Sequence, residues 1–173
     1  DGSSVDDSGL APLADLHSLE VLVLSDSRVT GLGLKALRGL PNLSTLSLAG
    51  SPVDDEGLSG LLGSPKLSSL NLSRTKITGA GLVALNRIQN LWTLDLSGNP
   101  LTDVGLEKLA GMPRLFDLKL SGTRVTDAGL DALGRIPYLS SLDLSDTQVT
   151  DAGLAALGRI RGLGHLNLSH TRV

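Results

Sequence analysis

The sequence predicts an α/β solenoid, a stack of short coils that each contribute one strand and one short helical segment. Three observations carry this. A 24-residue unit, L-x-x-L-x-L-S-x-T-x-V-T-D-x-G-L-x-x-L-x-x-L-P-x, recurs in phase from Leu19 to Gly162. Inside each unit, apolar residues first alternate with polar ones and then recur at every third position. The chain is 40% hydrophobic, with Leu dominant, yet only 2% aromatic, which suits a core of near-identical aliphatic layers. Self-similarity at this period marks repeats that bury their apolar face only by stacking on their neighbours.

Six full copies open at Leu19, Leu43, Leu67, Leu91, Leu115 and Leu139, with partial copies over 1–18 and 163–173. A length of 173 residues would permit one or two compact domains. The unbroken phase predicts one array over 1–173 instead.

The copy that opens at Leu115 shows the physics. Leu118 and Leu120 alternate with Asp117, Lys119 and Ser121, the period of two of a half-buried strand, so the leucines point into the stack. Val125 then returns to the core. Leu130, Leu133 and Ile136 follow at spacings of three, which suits a short α or 3₁₀ segment on the opposite side. Thr126 is placed to cap that segment, Asp127 to favour the positive end of its dipole, and Pro137 to stop it. Strands are therefore expected to begin near Val21, Thr45, Ser69, Thr93, Asp117, Ser141 and His165.

A glycine opens each helical half, at 9, 33, 57, 81, 105, 129 and 153. Glycine costs about 1 kcal/mol against alanine inside a helix, so its recurrence implies close approach of one coil to the next. Thr75, Thr123, Thr147 and Thr171, replaced by Ser27, Ser51 and Asn99 in other copies, stand where the chain leaves the strand. Small polar side chains there are expected to satisfy backbone groups stranded by the turn. The copy from Leu43 to Lys66 is irregular: Ser64 occupies an apolar column, and Leu62 is expected to substitute for the missing side chain by a local shift.

These motifs, L-x-x-L-x-L, a turn residue and V-T-D-x-G-L-x-x-L, resemble the leucine-rich repeat family over essentially the whole chain. The T-D-x-G-L half is similar to short bacterial repeats and to the cysteine-containing repeats of F-box substrate receptors. It departs from the latter in carrying Thr or Ser at the Cys column and in its shorter unit. The resemblance implies a curved solenoid, with a parallel sheet on its concave face, short helices on its convex face and protein recognition on the sheet.

Composition narrows function further. The net charge of −3 is mild and Lys and Arg are scattered, so no basic stripe points to nucleic acid. No apolar run approaches the roughly 20 residues of a membrane span, and no charged-then-apolar leader is visible, so a soluble chain is expected. Cysteine is absent, which removes disulfides, thiolate nucleophiles and sulfur metal ligands. No phosphate loop or nucleophile elbow is present, and no cofactor is expected. His165 and His170 share the last strand region without the further ligands a metal would need. Asp95 and Asp143 stand two strands apart, about 9.6 Å, with Lys119 between them, which does not make an acid–base pair. Of the sequons at Asn42, Asn71 and Asn167, the last two arise from the repeat itself. A protein-binding module is the expected function and an enzyme is not. The alternative is a structural or assembly segment of a larger protein.

Function should lie where copies differ on an exposed column. The second repeat position reads Glu20, Ser44, Ser68, Trp92, Phe116, Ser140 and Gly164. Trp92 and Phe116, the only Trp and only Phe, should be neighbours across adjacent strands, and the only Tyr, Tyr138, falls just before the next strand. Outward strand positions beside them carry Asp95, Asp117, Lys119 and Asp143. Aromatics ringed by charges form a candidate site for a protein or peptide ligand. The competing reading is that Trp92 and Phe116 seal the edge of the core.

At the ends, Val5, Leu10, Leu13 and Leu16 form half a repeat, and Leu163, Leu166 and Leu168 have no covering helix after them. Two expectations fit: a fragment of a longer array, or end coils covered by another copy through the C-terminal strand.

Overall fold

The computed structural model describes residues 4–173. Seven strands of three residues each form one parallel sheet in chain order: β1 (Val21–Val23), β2 (Thr45–Ser47), β3 (Ser69–Asn71), β4 (Thr93–Asp95), β5 (Asp117–Lys119), β6 (Ser141–Asp143) and β7 (His165–Asn167). Each begins at the residue the repeat phase indicates. The register advances by one repeat per strand, so Leu22, Leu46, Leu70, Leu94, Leu118, Leu142 and Leu166 form one row along the sheet. From Leu46 to Leu142 that row is buried, while its flanking residues reach the concave surface.

Helical segments return each coil along the convex side. The earlier ones, Asp7–Asp15, Gly33–Gly39, Asp55–Gly63 and Ala80–Arg87, are 3₁₀ throughout. Three residues per turn matches apolar spacings of three, so Leu34, Leu37 and Leu40 all face the core on one side. Later coils mix in single α turns, at Asp103–Leu106, Leu130–Leu133 and Leu154–Leu157.

The irregular repeat corrects one expectation. Leu62 does not replace the missing side chain: it is 39% exposed, whereas Ser64 is 2% exposed with its hydroxyl lacking a partner. With Leu58 and Leu61 directed inward by the three-residue turn, Leu62 is rotated roughly a third of a turn away and cannot reach the gap.

The polar column beside the strands is structural, as its position suggests. Thr75, Thr123 and Thr147 donate their hydroxyls to the carbonyls of Leu72, Leu120 and Leu144. Asn99 bridges two coils: its amide donates to Leu72 and Leu96 carbonyls at 2.7 and 3.0 Å. Its carbonyl oxygen accepts from the Thr75 hydroxyl and the Ile77 N–H. Both hydrogens of the buried asparagine amide are thereby used, and its oxygen keeps the Ile77 N–H as a donor whichever acceptor the single Thr75 proton serves.

The glycine column has a steric cause. A Cβ on Gly129 would lie 2.5 Å from Asp103 Oδ1, and one on Gly153 2.4 Å from Asp127 Oδ1. Those carboxylates are occupied in clamping the next coil. Asp103 accepts from the Thr126 N–H and hydroxyl, each at 2.8 Å, and Asp127 does the same for Thr150. Asp7 and Asp55 clamp Thr30 and Thr78 likewise. Where the aspartate column reads glycine, at Gly31 and Gly79, backbones approach instead: a Cβ on Gly57 would meet Gly31 Cα at 2.3 Å.

Candidate functional site

Trp92 and Phe116 precede β4 and β5 by one residue, where the chain enters the sheet. Backbone bonds hold the two coils together there, with the Phe116 N–H on the Trp92 carbonyl at 2.9 Å. The side chains leave in the same direction and stack, with ring centroids 4.5 Å apart and an interplanar angle of 14°. Trp92 remains 49% exposed and Phe116 is half-buried. The pair therefore stacks on itself at the rim and leaves about half of the indole surface to solvent.

Trp92 and Tyr138, which is 64% exposed, line one open groove of about 660 Å³. Its remaining walls are Ser68, Ser69, Asn90, Thr93 and Arg114. Small residues at 68 and 69 leave the indole face uncovered. Asn90 and Arg114 are contributions that the sequence reading missed. They belong to the column just before each repeat's first Leu, which reads Asn42, Lys66, Asn90, Arg114 and Tyr138 and varies as much as the aromatic column does. Within it, Asn90 donates to the Pro65 carbonyl at 2.9 Å and accepts from Arg114 at 3.3 Å. Lys66 bonds Asn42 in the same manner two coils earlier.

The charged residues lie deeper on the concave sheet. Asp95, Lys119 and Asp143 are in register on β4, β5 and β6, and Asp117 sits two residues before Lys119 on the same face. Asp117, Lys119 and Asp143 line a second concavity of about 510 Å³ that also includes His165 and Asn167. Asp95 and Asp143 each spend one oxygen on the following turn, accepting from the Ser97 and Ser145 N–H groups at 2.9 Å. Asn71 and Asn167 perform the same task on β3 and β7. An amide therefore suffices for the turn, and the negative charge at 95 and 143 is surplus to it. Among the described residues, ion pairs form elsewhere, at Arg74–Asp26, Arg135–Glu107 and Arg159–Asp131.

Two carboxylates on the N-terminal sides of helical segments are held below the usual carboxylate range. For Asp127 the Thr150 hydroxyl and N–H are the main cause, and for Asp6 the Ser8 hydroxyl and the Gly9 and Ser8 N–H groups. Both serve the fold rather than the groove. The histidines are separated: His165 faces the second concavity, while His170 occupies a left-handed turn position at φ 59°. Among the described residues no helix is long and apolar enough to cross a membrane.

The repeat geometry agrees with comparisons to known proteins. A family model described as leucine rich repeat matches residues 65–125, and a second of the same description matches 15–37, 39–62 and 136–158. The chain belongs to the leucine-rich repeat family, whose arrays act as protein-interaction scaffolds. Among solved structures it is similar to an internalin from Listeria monocytogenes str. 4b F2365, with TM-score 0.68 and 21% identity over 94% of this chain and 52% of that one. An internalin C2 from the same organism gives TM-score 0.66 and 24% identity over 97% of this chain and 78% of that one. This chain thus spans about half the length of the first internalin, and the likeness is one of fold. No curated protein matches the chain.

Proposed function

We propose that the chain binds a protein or peptide through the concave sheet around β4–β6 and the aromatic rim beside it. The observation that carries this is the half-exposed indole of Trp92, held flat by Phe116 against a groove of about 660 Å³. An aromatic of fixed orientation, with one face bare, contributes contact area without losing rotamer freedom on binding. Asp95, Asp117, Lys119 and Asp143 supply a charged surround that sets register and partner choice. The test is a titration of candidate partners against wild type and the Trp92→Ala/Phe116→Ala double variant. Loss of binding with folding retained supports the reading, and unchanged affinity overturns it.

A second reading concerns copies of this chain, the assembly alternative. Leu154 and Leu166 are 37% and 41% exposed, and a concavity of about 470 Å³ between them is lined also by Leu157, Ile160 and Leu163. A second copy, or a further repeat of a longer array, seated there would cover this apolar layer and pair with β7. Sedimentation should then depend on concentration, and Lys or Pro at His165 should weaken association. A concentration-independent monomer rules this contact out.

A further inference from the structure

Arg114 is the cation of the aromatic groove, and among the described residues it has no carboxylate within ion-pair distance. Its guanidinium is oriented by a neutral partner, Asn90, which is itself tied to the Pro65 carbonyl. A guanidinium held in place this way keeps donors free for an incoming carboxylate. Beside it the indole of Trp92, stacked on Phe116, is half exposed, and Tyr138 lines the same groove. Further along the strand direction the charge reverses: Asp95, Asp117 and Asp143 surround the single ammonium of Lys119. At 95 and 143 that charge is not needed by the turn, because Asn71 and Asn167 make the same bonds. The surface therefore presents, in order from rim to sheet, a positive site, an apolar face and a negative field.

We propose that the occupant is an extended peptide segment of complementary order: an acidic residue or C-terminal carboxylate on Arg114, an apolar side chain on Trp92, and a Lys or Arg among Asp95, Asp117 and Asp143. This deepens the reading of the rim as a binding surface and rests on it. Arg114 lies in a bend five residues before Lys119, so the two levels are separated by at most roughly 16 Å, the length of five extended residues at 3.3 Å each. The acidic and basic residues of the ligand should be separated by a similar span. Mutual attraction of complementary charges at a partly exposed surface also makes binding weaken with salt.

The experiment is a selection of displayed random twelve-residue peptides on the immobilised chain. Recovered sequences are then synthesised with a terminal dye and titrated by fluorescence anisotropy, a readout that does not depend on Trp92, the chain's only tryptophan. The expected winners carry Asp or Glu, then a large apolar residue, then Lys or Arg about four to six positions from the acid. Arg114→Gln, which keeps an N–H for Asn90, should weaken them roughly tenfold. A peptide whose acid is replaced by its amide should no longer distinguish wild type from Arg114→Gln. Asp143→Asn, which preserves the bonds to Ser145, should weaken binding and flatten its salt dependence. Winners that need Trp92 but carry no acid, or ignore Arg114→Gln, overturn the charge order and leave the rim as a binding surface. Winners indifferent to Trp92→Ala overturn the rim reading itself. A selection without winners overturns the peptide as occupant, while the partner titration above still tests a folded one.

Discussion

Asp127 accepts both the N–H and the hydroxyl of Thr150, at 2.8 and 2.6 Å, across the gap between two successive coils. Because these bonds favour the charged carboxylate, its pKa is lowered from the ordinary value, with the Thr150 hydroxyl as the largest cause. A depressed folded-state pKa contributes stability that is complete above the unfolded value, about 3.9, and is lost as pH falls below that through the folded pKa. Asp127→Asn should therefore lower the melting temperature at pH 7, and the gap to wild type should narrow as pH drops below about 4. Thermal unfolding of both proteins from pH 7 to pH 2.5 checks this. A gap that stays constant would mean that the carboxylate charge adds nothing to the clamp.

Ser64 is the weak point of the core. Its column is filled by Leu40, Ile88, Met112, Ile136 and Ile160 in other coils, all buried. Its own hydroxyl is buried without a partner. Ser64→Ile should remove an unsatisfied polar group and add buried methylenes at about 0.8 kcal/mol each. A net gain of about 1–2 kcal/mol and a rise of about 3–6 °C in Tm are expected. A fall in Tm would show that the neighbouring coils have already closed over the gap and that the larger side chain overpacks it.

Two glycines should respond in opposite ways. Gly57→Ala places a Cβ 2.3 Å from Gly31 Cα, where only backbone can yield, so stability should drop by several kcal/mol or the chain should fail to fold. Gly134→Ala meets nothing closer than 3.5 Å and follows a helical turn, so it should be neutral or stabilise by up to about 1 kcal/mol. Denaturant midpoints of the two variants decide it, and similar losses at both would contradict the close-approach account.

The rim pair should be cheap to remove. Trp92 is half exposed, so the double alanine variant should lose about 0.5–1.5 kcal/mol of stacking plus a modest area term. A buried aromatic would cost about 3–5 kcal/mol. A loss in that higher range by urea titration would assign the pair to sealing the core.

Strand starts, helical segments and core columns were legible in the sequence because each coil's neighbour is another copy of the same unit. Alternation at Leu118 and Leu120 and three-residue spacing at Leu130 and Leu133 define which way a side chain points within its own coil. The pairing of Trp92 with Phe116 was legible for the same reason, since equivalent positions of adjacent strands must meet. The lining of the candidate groove was only half legible. The aromatic column stood out by residue type, whereas Asn90 and Arg114 looked like ordinary polar residues before a leucine.

What only the tertiary structure decided is how far side chains reach from one coil into the next. The sequence shows Asp127 beside its own helical segment, where a dipole role is natural. The stacking distance brings it instead to Thr150 and makes Gly153 obligatory beneath it. The sequence likewise allows Leu62 to fill for Ser64, and the rotation of the 3₁₀ turn forbids it. Periodicity determines direction within a coil, because backbone geometry is local. The separation and rotation between coils emerge only when all layers pack at once, and they decide which residues clamp the next coil and which remain exposed.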